Sequence, residues 1–540
     1  KIADMFRETS ARIRACEWEI DGNTVSECDG SSSWFTFETE ILKCKGKMTL
    51  IDGKCTVLFT SAMEIKGYEE ATLSRRKTGY TNKVVKYRKT WLDEKIVEEQ
   101  RLGIKDQPYV VIVGGGQGGI ALAARLRMLD VPTIVIDKNC RAGDSWRKRY
   151  HSLYLRNTVW QDHMPYLNFP DDWPVFMSKD KMGDWLEMYV KVMEINYWAS
   201  SNCKSATYMP DSEQWCLNIE RGSESILLEP KQLVIATGTS GYPKVPEITG
   251  VDVFRGVICH SSGFTGGRKY KEKKAIVVGS NSSGHDICMD LWEQGAAVTM
   301  LQRSSTLVVR SDTFFSDSKY SQESADAGIS TAEIDLAGAA VPYEIMRNKM
   351  ISVWAEIAEE DSDYYKRLID KGFMLNFGED LSGLEMMYMY RGSGYYIDVG
   401  ATDLIVQGKI GLISGVTIER IIENGVILSD GSELEAELIV FATGYESINT
   451  WVSKLISEEV AGKVGRCWGL GSATKYDPGP WEGELRNMWK PTKQESLWFH
   501  GGGLSQSRLY SRYLAMQLKA RMENIPTPGY GLFAVGDNRY

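Results

Sequence analysis

One pattern dominates the chain and occurs twice: an apolar run, a cluster of glycines, a helical stretch and a second apolar run. The first copy reads "YVVIVGGGQGGIALAARLRMLDVPTIVIDK". Tyr109–Val113 is almost wholly apolar over five positions, which predicts a strand covered on both faces by a parallel sheet's helices. "IALAARLRML" repeats its apolar residues at helical spacing, and "PTIVIDK" predicts a second strand ending at Asp137. The second copy, "KKAIVVGSNSSGHDICMDLWEQGAAVTMLQRSST", follows the same scheme. The residues before the first copy behave differently. "KCTVLFTSAMEI" alternates apolar with polar and predicts a strand, with "LIDGK" as turn punctuation. "YRKTWLDEKIVEEQRLG" predicts a charged helix that serves as a linker. The expected fold is α/β, with two Rossmann-like dinucleotide-binding domains preceded by a small α+β N-terminal domain. Residues 1–100 are assigned to the small domain and linker, and 101–270 to the first dinucleotide domain. Residues 271–430 form the second domain with an insertion, and 431–540 return to the first.

Composition narrows the class without changing this picture. A chain of 540 residues is too long for one core. Its 43% hydrophobic and 25% charged content is that of an ordinary globular protein. A net charge of −9 argues against nucleic acid or an anionic membrane as partner. No run of apolar residues is long enough for a bilayer span, and "KIADMFRETS" has no apolar signal core. The expected compartment is cytoplasmic, and the lack of an initiator Met leads us to expect further residues upstream. The cysteines, Cys16, Cys28, Cys44, Cys55, Cys140, Cys203, Cys216, Cys259, Cys288 and Cys467, include no C-x-x-C pair. They read as reduced thiols, with neither a metal site nor a dithiol centre expected.

The two glycine loops carry the chemistry. Gly114, Gly116 and Gly119 fill G-x-G-x-x-G: one for the tight turn, one for close approach of a pyrophosphate, one for helix–strand packing. The helix N-terminus offers free N–H groups to the phosphates, and Asp137, with Lys138 beside it, stands where a ribose diol is held. In the second loop Gly279 and Gly284 keep the outer positions, Asn281 replaces the middle glycine, and Ser282 follows. Asn tolerates left-handed backbone and offers an amide, so this loop is expected to work too. No acid ends its second strand. Arg303 stands there instead, followed by Ser304 and Ser305, a set suited to a 2′-phosphate. The pair implies FAD on the first fold and NADPH on the second, and hence an oxidoreductase.

"FRGVICHSSGF", between the loops, places Phe254, Gly256, His260 and Phe264 in F-x-G-x-x-x-H-x-x-x-F. "GDSWRKRYHSL" supplies Gly143, Trp146, Arg149 and Tyr150; "LVIATGTS" supplies Ala236, Thr237 and Gly238; "LIVFATGYE" supplies Phe441–Tyr445, including Thr443 and Gly444. On these motifs the chain resembles the flavin-containing monooxygenases, which include the plant auxin-forming enzymes and are related to Baeyer–Villiger monooxygenases. The latter typically carry Trp at the position of Phe264. The resemblance implies hydride transfer from NADPH to the flavin and formation of a C4a-hydroperoxide with O2. One oxygen atom is then inserted into a small organic substrate. It implies that Asn157 hydrogen-bonds the peroxyflavin, with Gln161, Asp162 and His163 lining the same cavity. The stretch around His260 is associated with positioning the nicotinamide; packing between domains is the stronger reading for His260 itself. Gln506 and Ser507 are expected to face the cofactor. The alternatives are a Baeyer–Villiger enzyme acting on a ketone, and an NADPH oxidase or reductase. "LEMMYMYRGSGYYIDVGATDLI" reads as core slightly ahead of a substrate channel. The N-terminal strands resemble a small cone-shaped domain sometimes fused to such enzymes, with a homo-oligomer contact as one open role.

Overall fold

The computed structural model describes residues 13–27, 30–79, 82–471 and 483–527. Two five-stranded parallel sheets organise the chain. The first runs Leu497–Phe499, Gln232–Ile235, Val110–Val113, Thr133–Ile136, Tyr197–Trp198. The second runs Val257–His260, Leu438–Phe441, Lys274–Val278, Ala297–Gln302, Gly411–Ser414. In each the central strand leads into a glycine loop and then a helix, Gln117–Met128 in the first and Ser282–Glu293 in the second. Both faces of the central strands are covered, so Val110, Val111, Ile112, Ile276 and Val277 are fully buried. That double burial is why these strands read as unbroken apolar runs. Each sheet also has a three-stranded antiparallel meander inserted before its later strands, at 201–228 and 418–435.

Two boundaries move. Val257–His260 pairs with Leu438–Phe441 in the second sheet, so both strands lie with the second fold rather than in the 101–270 and 431–540 segments. Val257–His260 is a four-residue edge strand whose partner is remote in sequence, and its burial follows no alternation that a pattern could disclose. Between the two folds' meanders, residues 311–406 form a run of helices interrupted by the strand Tyr395–Asp398, which pairs with Leu307–Arg310. The helix Gly383–Arg391 buries Leu384, Met386 and Met387, and Leu384 and Met387 pack with Trp354, Leu307 and Val309. This part of the Met/Tyr segment is therefore core, while Tyr390 and Arg391 are exposed.

The N-terminal elements described are four antiparallel strands in sequence order, Cys16–Glu27, Gly30–Glu38, Leu42–Ile51 and Lys54–Ile65. They dock on the last helix, Leu504–Met522: Ile65 packs with Met516 and Ala520, and Ser61 and Tyr513 share a 2.7 Å hydrogen bond. The linker helix Trp91–Arg101 forms as its sequence predicts, with Thr90 and Asp93 making a capping box. The nine described cysteines are all free; Cys28 and the first twelve residues lie outside the described residues. Among the described residues no helix is long and apolar enough to cross a membrane.

Candidate active site at the junction of two dinucleotide folds

The two glycine loops are the same object built twice. Gly114 has φ +112° and Gly279 φ +119°, a left-handed conformation open to glycine. A Cβ on Gly114 would meet the Ala236 carbonyl oxygen at 2.4 Å; one on Gly279 would meet the Ala442 oxygen at the same distance. A Cβ on Gly119 would lie 2.0 Å from the Gly114 oxygen, and one on Gly284 2.1 Å from the Gly279 oxygen. The A-T-G turns thus brace the loops pairwise: Ala236-Thr237-Gly238 against the first, Ala442-Thr443-Gly444 against the second. The middle position differs in kind. At Gly116 a Cβ would meet nothing nearer than Ser145 Oγ at 3.9 Å, open space in front of the helix N-terminus. Asn281 caps the second helix with φ −85° and ψ −173°, against −79° and −171° at Gly116. Its backbone is extended, so left-handed tolerance is not what lets Asn serve there. The position never needed glycine's backbone freedom, and the amide oxygen instead faces Thr306 Oγ1 at 3.5 Å.

Around the first loop, buried polar atoms stand without partners. Thr237 Oγ1 and Ser507 Oγ make no hydrogen bond, and the His500 ring has only a weak approach to the Gly118 backbone. They share a place: a Cβ on Gly118 would approach His500 Cδ2 at 3.4 Å and Ser507 Oγ at 3.6 Å, and Gly501 lies beside Gly238. Burial pushes the His500 pKa down to about 3, so its ring is neutral. Orphaned donors around an open glycine cradle are what a dinucleotide's phosphates would satisfy, and the residues fit that ligand. Asp137 directly follows the last strand residue, Ile136, its Oδ2 accepting from Gly115 N at 2.8 Å and so tying loop to strand end. Lys138 is exposed, with Nζ 5.8 Å from the Trp451 ring centre. Trp146 Nε1 donates to Gln117 Oε1 at 3.3 Å. Two expected ligand residues are occupied by protein. Gln506 Oε1 accepts from Tyr388 Oη at 2.6 Å and Gly503 N at 3.2 Å, and Ser282 Oγ donates to the Tyr395 carbonyl at 3.0 Å. Arg303, Ser304 and Ser305 are exposed at the end of their strand.

One segment joins the two folds. Leu155 packs with Ile120 and Ala121 on the first glycine-loop helix. Tyr150 Oη donates to Asp286 Oδ2 at 2.7 Å, and Arg156 forms an ion pair with the same carboxylate on the second helix. His260 ends the edge strand beside this junction. Its Nδ1 accepts from Ser262 N at 3.1 Å, so the proton sits on Nε2 and is donated to the Gly444 carbonyl at 3.0 Å. Burial lowers its pKa. Nε2 thereby joins "FRGVICHSSGF" to the second A-T-G turn, while Nδ1 is held within the stretch itself by Ser262. Phe264 is buried with Tyr150 and Tyr270 in the second core. Asn157 Nδ2 donates to Asp162 Oδ1 at 3.2 Å. The loop carrying them is clamped from the last helix by Arg508, which bonds the Gln161 and His163 carbonyls at 2.9 and 2.5 Å and pairs with Asp335 at 2.7 Å. The sequence reading passed over His500, Arg508 and Asp286. A histidine directly before three glycines was a usable signal; the other two were not marked by any local pattern.

Twin glycine loops, an acid at the strand end beside one and an exposed arginine beside the other, and a segment bridging them define a class. It is that of oxidoreductase enzymes working with FAD and NAD(P). Residues 111–378 match the sequence profile of the pyridine nucleotide-disulphide oxidoreductase family. The chain is 29% identical over 346 residues to the probable indole-3-pyruvate monooxygenase YUCCA10 of Arabidopsis thaliana, covering 63% of this chain and 82% of that protein. It is 28% identical over 348 residues to the indole-3-pyruvate monooxygenase YUCCA1 of Oryza sativa subsp. japonica, with 64% and 79% covered. Its fold resembles a flavin-containing monooxygenase from Stenotrophomonas maltophilia, TM-score 0.51 at 15% identity over 77% of this chain and 99% of that one. It also resembles the NADP+-bound cyclohexanone monooxygenase from Rhodococcus sp. Phi1, TM-score 0.54 at 16% identity, covering 77% and 84%. The resemblance to flavin monooxygenases read from the motifs is thus met by relatives in sequence and neighbours in fold.

Proposed function

We propose that the chain is an FAD- and NADPH-dependent monooxygenase that inserts one atom of O2 into a small organic substrate. The observation that carries this is the junction segment, which touches the helix behind each glycine loop and so holds the two nucleotide sites in one register. When bound, the flavin takes hydride from NADPH and passes electrons to O2; that chemistry is the cofactor's. The chain's own residues bind and orient. Thr237, His500 and Ser507 offer hydrogen bonds to the dinucleotide on the first loop, with Asp137 toward its ribose. Arg303 with Ser304 and Ser305 selects the 2′-phosphate on the second. Asn157 presents its amide where the two sites meet. Arg508 and the helical insertion close this region to water, which keeps reduced oxygen from being lost as peroxide.

The test is stopped-flow spectroscopy of the holoenzyme, reduced with NADPH and mixed with oxygenated buffer without substrate. A near-ultraviolet transient that precedes the oxidised flavin spectrum is expected, and the organic compound that discharges it identifies the substrate class. Direct return of the oxidised spectrum would make the chain an oxidase or reductase instead.

A further inference from the structure

Asp162 is a buried carboxyl to which the proposed function gives no task. It is 2% exposed, and the side-chain hydrogen bond it makes among the described residues is to a neutral amide, Asn157 Nδ2 at 3.2 Å. The nearby buried carboxylates are matched to cations instead: Asp286 to Arg156, and Asp335 to Arg508. Arg508 does reach this loop, but spends its Nη1 on the main-chain carbonyls of Gln161 and His163, the residues on either side of Asp162. The backbone is thereby fixed and the carboxyl is left against Asn157. Burial without a bonded cation pushes its pKa up to about 7, against the pull of the Asn157 amide and the Arg508 charge. Two other groups facing it are held away from neutrality. His163, from its own loop, is held down to about 4 by burial, and its Nδ1 accepts from Phe169 N. Tyr320 is pushed far up and donates to Asp335, which lies on the packed helix Thr331–Ala339 and is bound to Arg508.

We propose that Asp162 is a positioning residue whose protonation state sets which edge of the Asn157 amide is turned toward the flavin site. Ionised, it accepts from Nδ2 and leaves the amide oxygen facing the site. Protonated, its O–H donates to Asn157 Oδ1, the amide turns over, and the site meets a donor. This rests on the junction being the flavin site, so the experiment has one arm that does not. In that arm, melting temperatures of wild type and Asp162→Asn holoenzyme are compared across pH. A raised folded pKa means the native state holds the proton that the unfolded chain releases. Stability is therefore lost as pH rises from about 4 to about 7, and Asp162→Asn escapes the loss. The variant's advantage should grow over that window and level off above it; a constant difference overturns the proposal. In the second arm the lifetime of the near-ultraviolet transient is followed against pH. A step near neutrality is expected in wild type and absent from both Asp162→Asn and Asn157→Ala. A step that survives in either variant overturns the proposal. If no transient forms at all, the monooxygenase reading fails, and the absorption spectrum of the oxidised holoenzyme takes its place. A pH-dependent shift lost in both variants supports the switch, and one retained in Asp162→Asn refutes it. Should Asp162→Asn fail to fold, Asp162→Ser, which also lacks the charge, replaces it in both arms.

Discussion

A methyl group added at Gly116 and one added at Gly119 should have opposite kinds of effect. The first meets no protein atom within 3.9 Å, so Gly116→Ala should fold normally and lose FAD, with affinity down by about tenfold or more. Full flavin content in the purified variant would show that the cradle is not where the pyrophosphate lies. The second would sit 2.0 Å from a main-chain oxygen, so Gly119→Ala should be poorly folded whether or not FAD is added, read by circular dichroism. Arg303→Ala should raise KM for NADPH roughly 10- to 100-fold, the value of one charge-assisted hydrogen bond, and leave KM for NADH unchanged. Equal changes would remove its phosphate role. These residues were legible because a glycine's role follows from backbone sterics, which sequence spacing encodes. Asn281 was legible as a departure but not in its reason, since its extended φ is a property of the folded turn.

Among elements, the buried pair of Arg508 and Asp335 fastens the insertion to the last helix and, through Arg508, to the loop of Asn157. Its partners are 173 residues apart, so no local pattern announces them. Asp335→Ala strands a buried guanidinium and should cost about 3–5 kcal/mol in urea unfolding. Amide exchange should quicken first in the helix Thr331–Ala339; uniform quickening would mean the pair is not a local fastener. The strands and helices around each glycine loop were legible for the opposite reason: periodicity is local. The strand Val257–His260 was not, because an edge strand of four residues owes its existence to a neighbour near residue 440.

For the whole molecule, the two folds could be read from the chain but their mutual setting could not. That setting depends on Tyr150 and Arg156 meeting Asp286 across 136 and 130 residues. Asp286→Asn should leave FAD content intact and slow flavin reduction by NADPH by about a hundredfold, the expected cost of misplacing reacting groups by roughly 1 Å. An unchanged reduction rate would show that the folds are held together elsewhere. The twin loops carry a consequence for descent as well. Of the three diagnostic positions in each, the outer two are policed by the chain's own carbonyl oxygens, and the middle one leaves room for a side chain. A lineage built on this plan can therefore vary the middle position, as Asn281 does, without passing through ancestors that fail to fold.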